Sequence, residues 1–147
     1  MSKLASKSAI KKVMVFGTFD LIHPGHLHFF KQARALSKNS YLIVSIARDK
    51  NVLRIKRQLP DNNQKARLAK IQALAEVDEA VLGGLKNHMP HIIKARPDII
   101  ALGYDQSAYV RGLAGELRAA GLNTKIVRLK AHKPHIHKTS IIKQQSA

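Results

Sequence analysis

The run Val13-Met14-Val15-Phe16-Gly17-Thr18-Phe19-Asp20-Leu21-Ile22-His23-Pro24-Gly25-His26 decides the fold. A short apolar segment ends at Gly17, and an amphipathic segment begins near Pro24 and carries Phe29, Ala33 and Leu36 at helical spacing. A strand, a glycine-bearing turn and a helix in that order open a βαβ unit. Pro24 suits the first helical turn, where its missing N–H costs nothing. The positive end of the helix dipole and its free N–H groups then face the turn, which favours an anionic phosphate. Gly17 and Gly25 let backbone approach a ligand, and His23 and His26 add two donors for the same oxygens.

The pattern repeats along the chain. Tyr41–Ala47, Ala80–Leu82, Asp98–Leu102 and Lys125–Leu129 read as further strands. Helices are expected from Asp61 or Asn62 to Ala75, over Pro90–Ala95, and from a Ser107 cap to a Gly121 stop. Lys50 to Pro60 reads as a basic loop, and Thr139–Lys143 as a short tail helix. Alternating strands and helices predict an α/β fold, a single Rossmann-like doubly wound domain with a five-stranded parallel sheet. The expected division is a flexible basic tail over 1–11 and one domain over 12–147. In such sheets, ligands gather beyond the C-terminal strand ends, so the segments 17–26, 48–60 and 103–107 converge on one edge.

Composition narrows the chemistry. The chain of 147 residues has 26 Lys+Arg against nine Asp+Glu, a formal net charge of +17 with neutral histidines. No acid follows Glu116, while Arg118, Lys125, Arg128, Lys130, Lys133, Lys138 and Lys143 accumulate. Such a field steers anionic partners, nucleotides above all, although a solvated basic surface carries equal weight. Low aromatic content and the lack of a recognised nucleic-acid motif argue against nucleic acid. Without cysteine, disulfides and thiolate metal sites are excluded, which fits a reducing cytoplasmic setting. No apolar run is long enough to cross a membrane, so no membrane partner is expected. His23 and His26 lack the further ligands that zinc requires, and His132, His135 and His137 read as an exposed loop.

Gly17-Thr18-Phe19-Asp20 followed by His23-Pro24-Gly25-His26 resembles the signature of the cytidylyltransferase-like nucleotidyltransferases. Thr139-Ser140 resembles that superfamily's second, Ser/Thr-rich motif, so the likeness spans about residues 12 to 143. Ala47-Arg48-Asp49, Val77–Gly83 and Pro97–Gln106 are most similar to the archaeal-type FAD synthase group. The tryptophan-bearing segment of glycerol-3-phosphate cytidylyltransferases is missing.

The resemblance implies transfer of AMP from ATP to FMN, giving FAD and pyrophosphate, with Mg²⁺ or another divalent cation. It implies nucleotide binding by Gly17, Thr18, Phe19, His23, Pro24, Gly25, His26, Gly103, Asp105, His132 and Ser140. His23, His26 and Lys56 are the implied catalytic residues, and Arg57 and Arg67 are candidates for phosphate contact. Arg67 is alternatively a brace for the loop, and Asp105 alternatively a turn or cap residue. Related folds suggest a homodimer. The alternatives are a CTP-using transferase for glycerol 3-phosphate or another phospho-alcohol and, from a different class, a non-catalytic nucleotide- or nucleic-acid-binding module.

Overall fold

The computed structural model describes residues 9–84, 87–106 and 112–130. Its elements in chain order are β1 (Lys11–Gly17), α1 (Pro24–Arg34), β2 (Ser40–Ile46), α2 (Asp49–Lys56), α3 (Gln64–Gln72), β3 (Glu79–Leu82), α4 (Met89–Ala95), β4 (Ile99–Leu102), α5 (Leu113–Ala119) and β5 (Lys125–Arg128). All five strands are parallel, in the order β3-β2-β1-β4-β5, so the expected doubly wound sheet is present. The chain reverses its direction of travel at β1, which places the crevice of the sheet beyond Gly17 and Leu102.

The two-residue period of a strand sends alternate side chains to opposite faces. Val13, Val15, Leu42, Val44 and Ile46 meet Phe30, Ala33 and Ile71 of α1 and α3 on one face. Met14, Phe16, Ile43, Ile100 and Leu102 meet Ile92, Leu113 and Leu117 of α4 and α5 on the other. Strands apolar on both sides are what a sheet covered by helices on both faces requires. Ser45 stands out as a buried polar residue on the second face.

Several local expectations change. Lys50 to Pro60 is not a loop: most of it is the helix α2. Asp49 lies in its first turn and Arg54 and Lys56 in its last, charges that suit the helix dipole, and Val52 supplies the buried anchor. With one buried apolar residue, its helical period is faint in the sequence. Arg57 ends it in the left-handed region at φ 60°. The cap of α3 is Asn63, whose side chain accepts from Ala66 N–H at 2.8 Å, rather than Asp61 or Asn62. Strand β1 begins at Lys11, inside the expected tail, and pairs there with Ser40. The expected Ser107 cap and the tail helix lie outside the described residues; the described helix before Gly121 is α5.

Candidate active site

The turn after β1 is built from its own side chains. Phe19 is buried with φ 53°, a conformation that folds its ring back over Gly17. A Cβ on Gly17 would stand 2.5 Å from Phe19 Cζ, so glycine here makes room for a ring of the same turn. A Cβ on Gly25 would likewise stand 3.0 Å from the His23 imidazole. The space at both glycines is thus filled by the turn itself, where the sequence had suggested an approaching ligand.

His23 is the N-cap of α1, and its Nδ1 accepts from Gly25 N–H at 3.1 Å. An accepting Nδ1 leaves the proton of a neutral ring on Nε2, which becomes the outward donor. His26 N–H and Leu27 N–H turn back to the His23 carbonyl at 2.9 and 3.3 Å. The backbone donors that the sequence had left free for phosphate are therefore engaged, and the imidazoles remain as donors. The rings of His23 and His26 stack with centroids 3.7 Å apart and planes 22° from parallel. Phe19 meets His26 edge-on at 5.3 Å. Burial, and then the neighbouring His23, push the His26 pKa down to about 4, so this ring is neutral near pH 7. Its Nδ1 is buried with no hydrogen-bond partner among the described residues.

Beneath the turn lies Arg67 of α3, 1% exposed. Its Nη1 donates to the Thr18 carbonyl at 2.9 Å, its Nε to the Asn62 carbonyl at 2.9 Å, and its Nη2 to Asp49 Oδ1 at 2.7 Å. Of its two expected roles, these three bonds are those of a brace. Asp49 returns the link, accepting from Gln64 N–H at 3.1 Å while its own N–H donates to Gln64 Oε1 at 2.9 Å. Asp20 adds a second tie, with its carboxylate accepting from the N–H groups of Asp61 and Asn62 at 2.6 and 2.8 Å. Two carboxylates and one guanidinium thus lock the 17–23 turn, the start of α2 and the start of α3 together. The sequence reading did not single out Asp20 or Asp49 for this.

The third segment, after β4, is also tied internally. Gln106 accepts from Gly103 N–H at 2.7 Å and donates to the Phe16 carbonyl at 2.8 Å. Arg128, in the sequence only one of the cations after Glu116, donates to the Gly103 and Gln106 carbonyls at 2.7 and 2.8 Å. Asp105 is left exposed at the rim. Lys56 and Arg57 are exposed at the C-terminal end of α2. His132 and Ser140 lie outside the described residues.

No group of three or more His, Cys, Asp or Glu among the described residues could hold a metal ion. The nearby carboxylates, Asp20 and Asp49, already accept backbone and guanidinium hydrogens. These residues do not fit a protein-built metal cage. Among the described residues, no helix is long and apolar enough to cross a membrane.

The switch point of the parallel sheet, the paired-imidazole cap and the braced turn meet at one edge. The Cytidylyltransferase-like family profile matches residues 14–145. The chain belongs to this family. An FAD synthase of Ferroglobus placidus is 43% identical over 122 residues, covering 83% of this chain and 78% of its own length. Another from Archaeoglobus profundus is 42% identical over 135 residues, covering 90% of this chain and 84% of that one. Among solved structures, the lipopolysaccharide core biosynthesis protein of Thermoplasma volcanium GSS1 superposes with a TM-score of 0.76 at 36% identity, covering 84% of this chain and 98% of that one. A pantoate-beta-alanine ligase of Francisella tularensis shares only the fold, with a TM-score of 0.56 at 18% identity, over 91% of this chain and 65% of its own.

Proposed function

We propose that this family member is an FAD synthase, a nucleotidyltransferase that moves AMP from ATP to FMN and releases pyrophosphate. The observation that carries the reading is the cap of stacked imidazoles at the crevice of the sheet, on a chain similar at 41–44% identity to FAD synthases over most of its length.

The reaction asks little covalent work of the protein. The FMN phosphate is an anion at neutral pH, and one of its oxygens attacks the α-phosphorus of ATP. The new P–O bond forms as the bond to the β-phosphate bridge breaks, and that electron pair leaves with pyrophosphate. Catalysis is then alignment plus stabilisation of charge on the phosphate oxygens. His23, through Nε2–H, and His26 donate to the α- and β-phosphate oxygens. The dipole of α1 adds positive potential at the same point. Thr18 and Phe19 flank the nucleotide through their backbone, Lys56 and Arg57 approach the phosphates from α2, and Asp105 contacts the adenosine. Arg67 acts on none of these groups directly; it holds the turn that does.

A divalent cation, Mg²⁺ on this reading, would come in with ATP rather than in a protein-built cage and would neutralise charge on the phosphates. This suits a cation that commonly keeps its waters and binds through substrate phosphates. The domain takes in β1 from Lys11 onward and works in the cytoplasm as a homodimer. Incubation with Mg²⁺, either ATP or CTP, and either FMN or glycerol 3-phosphate tests the reading. FAD formed with ATP supports it; a cytidylyl product from glycerol 3-phosphate and CTP, with no FAD, replaces it with the alternative.

A further inference from the structure

A hollow opens at the same sheet edge, on the face opposite α1. It has a volume of about 80 Å³, and its lining includes Phe16, Gly17, Ser45, Arg54, Gly83 and His91. Its floor is a polar pair in an otherwise apolar layer. Ser45, 3% exposed on β2, has its Oγ 2.8 Å from His91 Nε2 of α4. His91 Nδ1 is buried beside the His88 carbonyl but reaches no partner in good hydrogen-bond geometry among the described residues.

A proton on Nδ1, next to that carbonyl, leaves Nε2 as the acceptor, so the Ser45 hydroxyl donates to it. The Ser45 oxygen then turns lone pairs toward the hollow and accepts a hydrogen from whatever enters. Gly83 keeps that oxygen open: a Cβ there would stand 3.4 Å from Ser45 Oγ and 3.9 Å from His91 Cε1. The opposite wall is α2, where Asn51 anchors to the Gly84 carbonyl at 2.7 Å and accepts from Arg54 Nη2 at 3.3 Å. The remaining guanidinium N–H groups of Arg54 are donors for carbonyl oxygens. The ring of Phe16, edge-on to His91 at 6.1 Å, supplies a flat apolar side.

A buried hydroxyl acceptor, a cationic donor and an aromatic wall suit the edge of a planar heterocycle that carries an N–H between carbonyls. We infer that this hollow is the acceptor subsite, in which Ser45 Oγ accepts the imide N–H of the flavin ring and His91 fixes the direction of the Ser45 hydroxyl. This rests on the FAD synthase reading and deepens it. The hollow takes the ring edge rather than the whole ring. Gly17 belongs both to its wall and to the imidazole turn, so an acceptor seated here has its other end directed to the phosphate chemistry. The segment after β4 does not compete for this role, because Gln106 and Arg128 close it on itself. Ser45 and His91 are specificity and positioning residues, and neither touches the reacting phosphorus.

Steady-state FAD synthesis by the full chain tests the assignment with Ser45→Ala and His91→Gln, using FMN and N3-methyl-FMN. Losing one such hydrogen bond is expected to raise the KM for FMN about fivefold or more. The KM for ATP stays within about twofold, which also reports an intact fold and nucleotide site. N3-methyl-FMN is a poorer substrate than FMN for the unaltered chain, and Ser45→Ala narrows that gap. Unchanged KM for FMN in both variants, or equal use of the two flavins by the unaltered chain, overturns the subsite while leaving FAD synthesis standing. If the unaltered chain forms no FAD, the functional reading falls and the subsite with it.

Discussion

The imidazoles of His23 and His26 lie face to face with centroids 3.7 Å apart, and Phe19 closes the edge of the second ring. Two imidazolium rings at that spacing would repel strongly, so at least one ring of the stack stays neutral in the free protein. On the proposed reading, the pair works as oriented N–H donors that gain strength when phosphate arrives. Removing one donor aimed at developing charge generally costs about 100-fold in turnover, and His26→Ala is expected to lose at least that much FAD formation. An unaltered thermal unfolding midpoint alongside that loss would place the effect in the chemistry; unchanged turnover would remove His26 from it.

The low His26 pKa sets a direction for acid. The ring binds its proton near pH 4 in the folded chain and near 6.5 when unfolded. Its contribution to stability is complete above pH 6.5 and is lost as pH falls toward 4, because the unfolded chain takes up protons first. His91, also pushed down by burial, adds in the same sense. Urea denaturation between pH 7 and 4 should show this decline, with a shallower slope in His26→Gln. Bound ATP should raise the His26 pKa, read as an upward shift of its ring titration by NMR, since nearby phosphate favours the protonated form.

Arg67 joins three segments by single hydrogen bonds, and each partner loses a buried or half-buried donor if it goes. Arg67→Met is expected to destabilise the fold by about 3 kcal/mol, measured by chemical denaturation. Arg67→Lys should not restore the lost stability, since one ammonium cannot reproduce a planar fork that reaches Thr18, Asn62 and Asp49 together. Full stability in Arg67→Met would show that the brace is dispensable.

At Gly17 the limit is the Phe19 ring, 2.5 Å from where a Cβ would sit. Gly17→Ala should displace that ring and with it the edge contact to His26, at a cost of about 1–3 kcal/mol by overpacking. FAD formation should fall more than stability explains at temperatures where the variant is fully folded. Activity equal to the unaltered chain would mean that the Phe19 contact does not orient His26.

Much of this was legible in the residues. The apolar runs at 13–16 and 42–46 alternate sides and bury on both, and the turn between Gly17 and His26 sits where its glycines, proline and histidines had placed it. What escaped reading depends on contacts distant in sequence. α2 looked like a loop because one buried valine gives no visible period. Arg67 and Asp49 are 18 positions apart, and nothing local marks them as a pair. Arg128 reads as one more surface cation until the carbonyls it gathers, 22 and 25 residues earlier, are in view. Ser45 and His91 meet only because β2 and α4 pack on the same face of the sheet.

On the proposed reading, AMP passes from ATP to FMN at the imidazole turn. ATP labelled at the α-phosphorus, incubated with Mg²⁺, FMN and the purified chain, follows that atom directly. Label is expected in FAD, with one unlabelled pyrophosphate released per FAD and transfer lost in His23→Ala and His26→Ala. Label that stays in ATP, or moves to a product lacking the flavin, would contradict it.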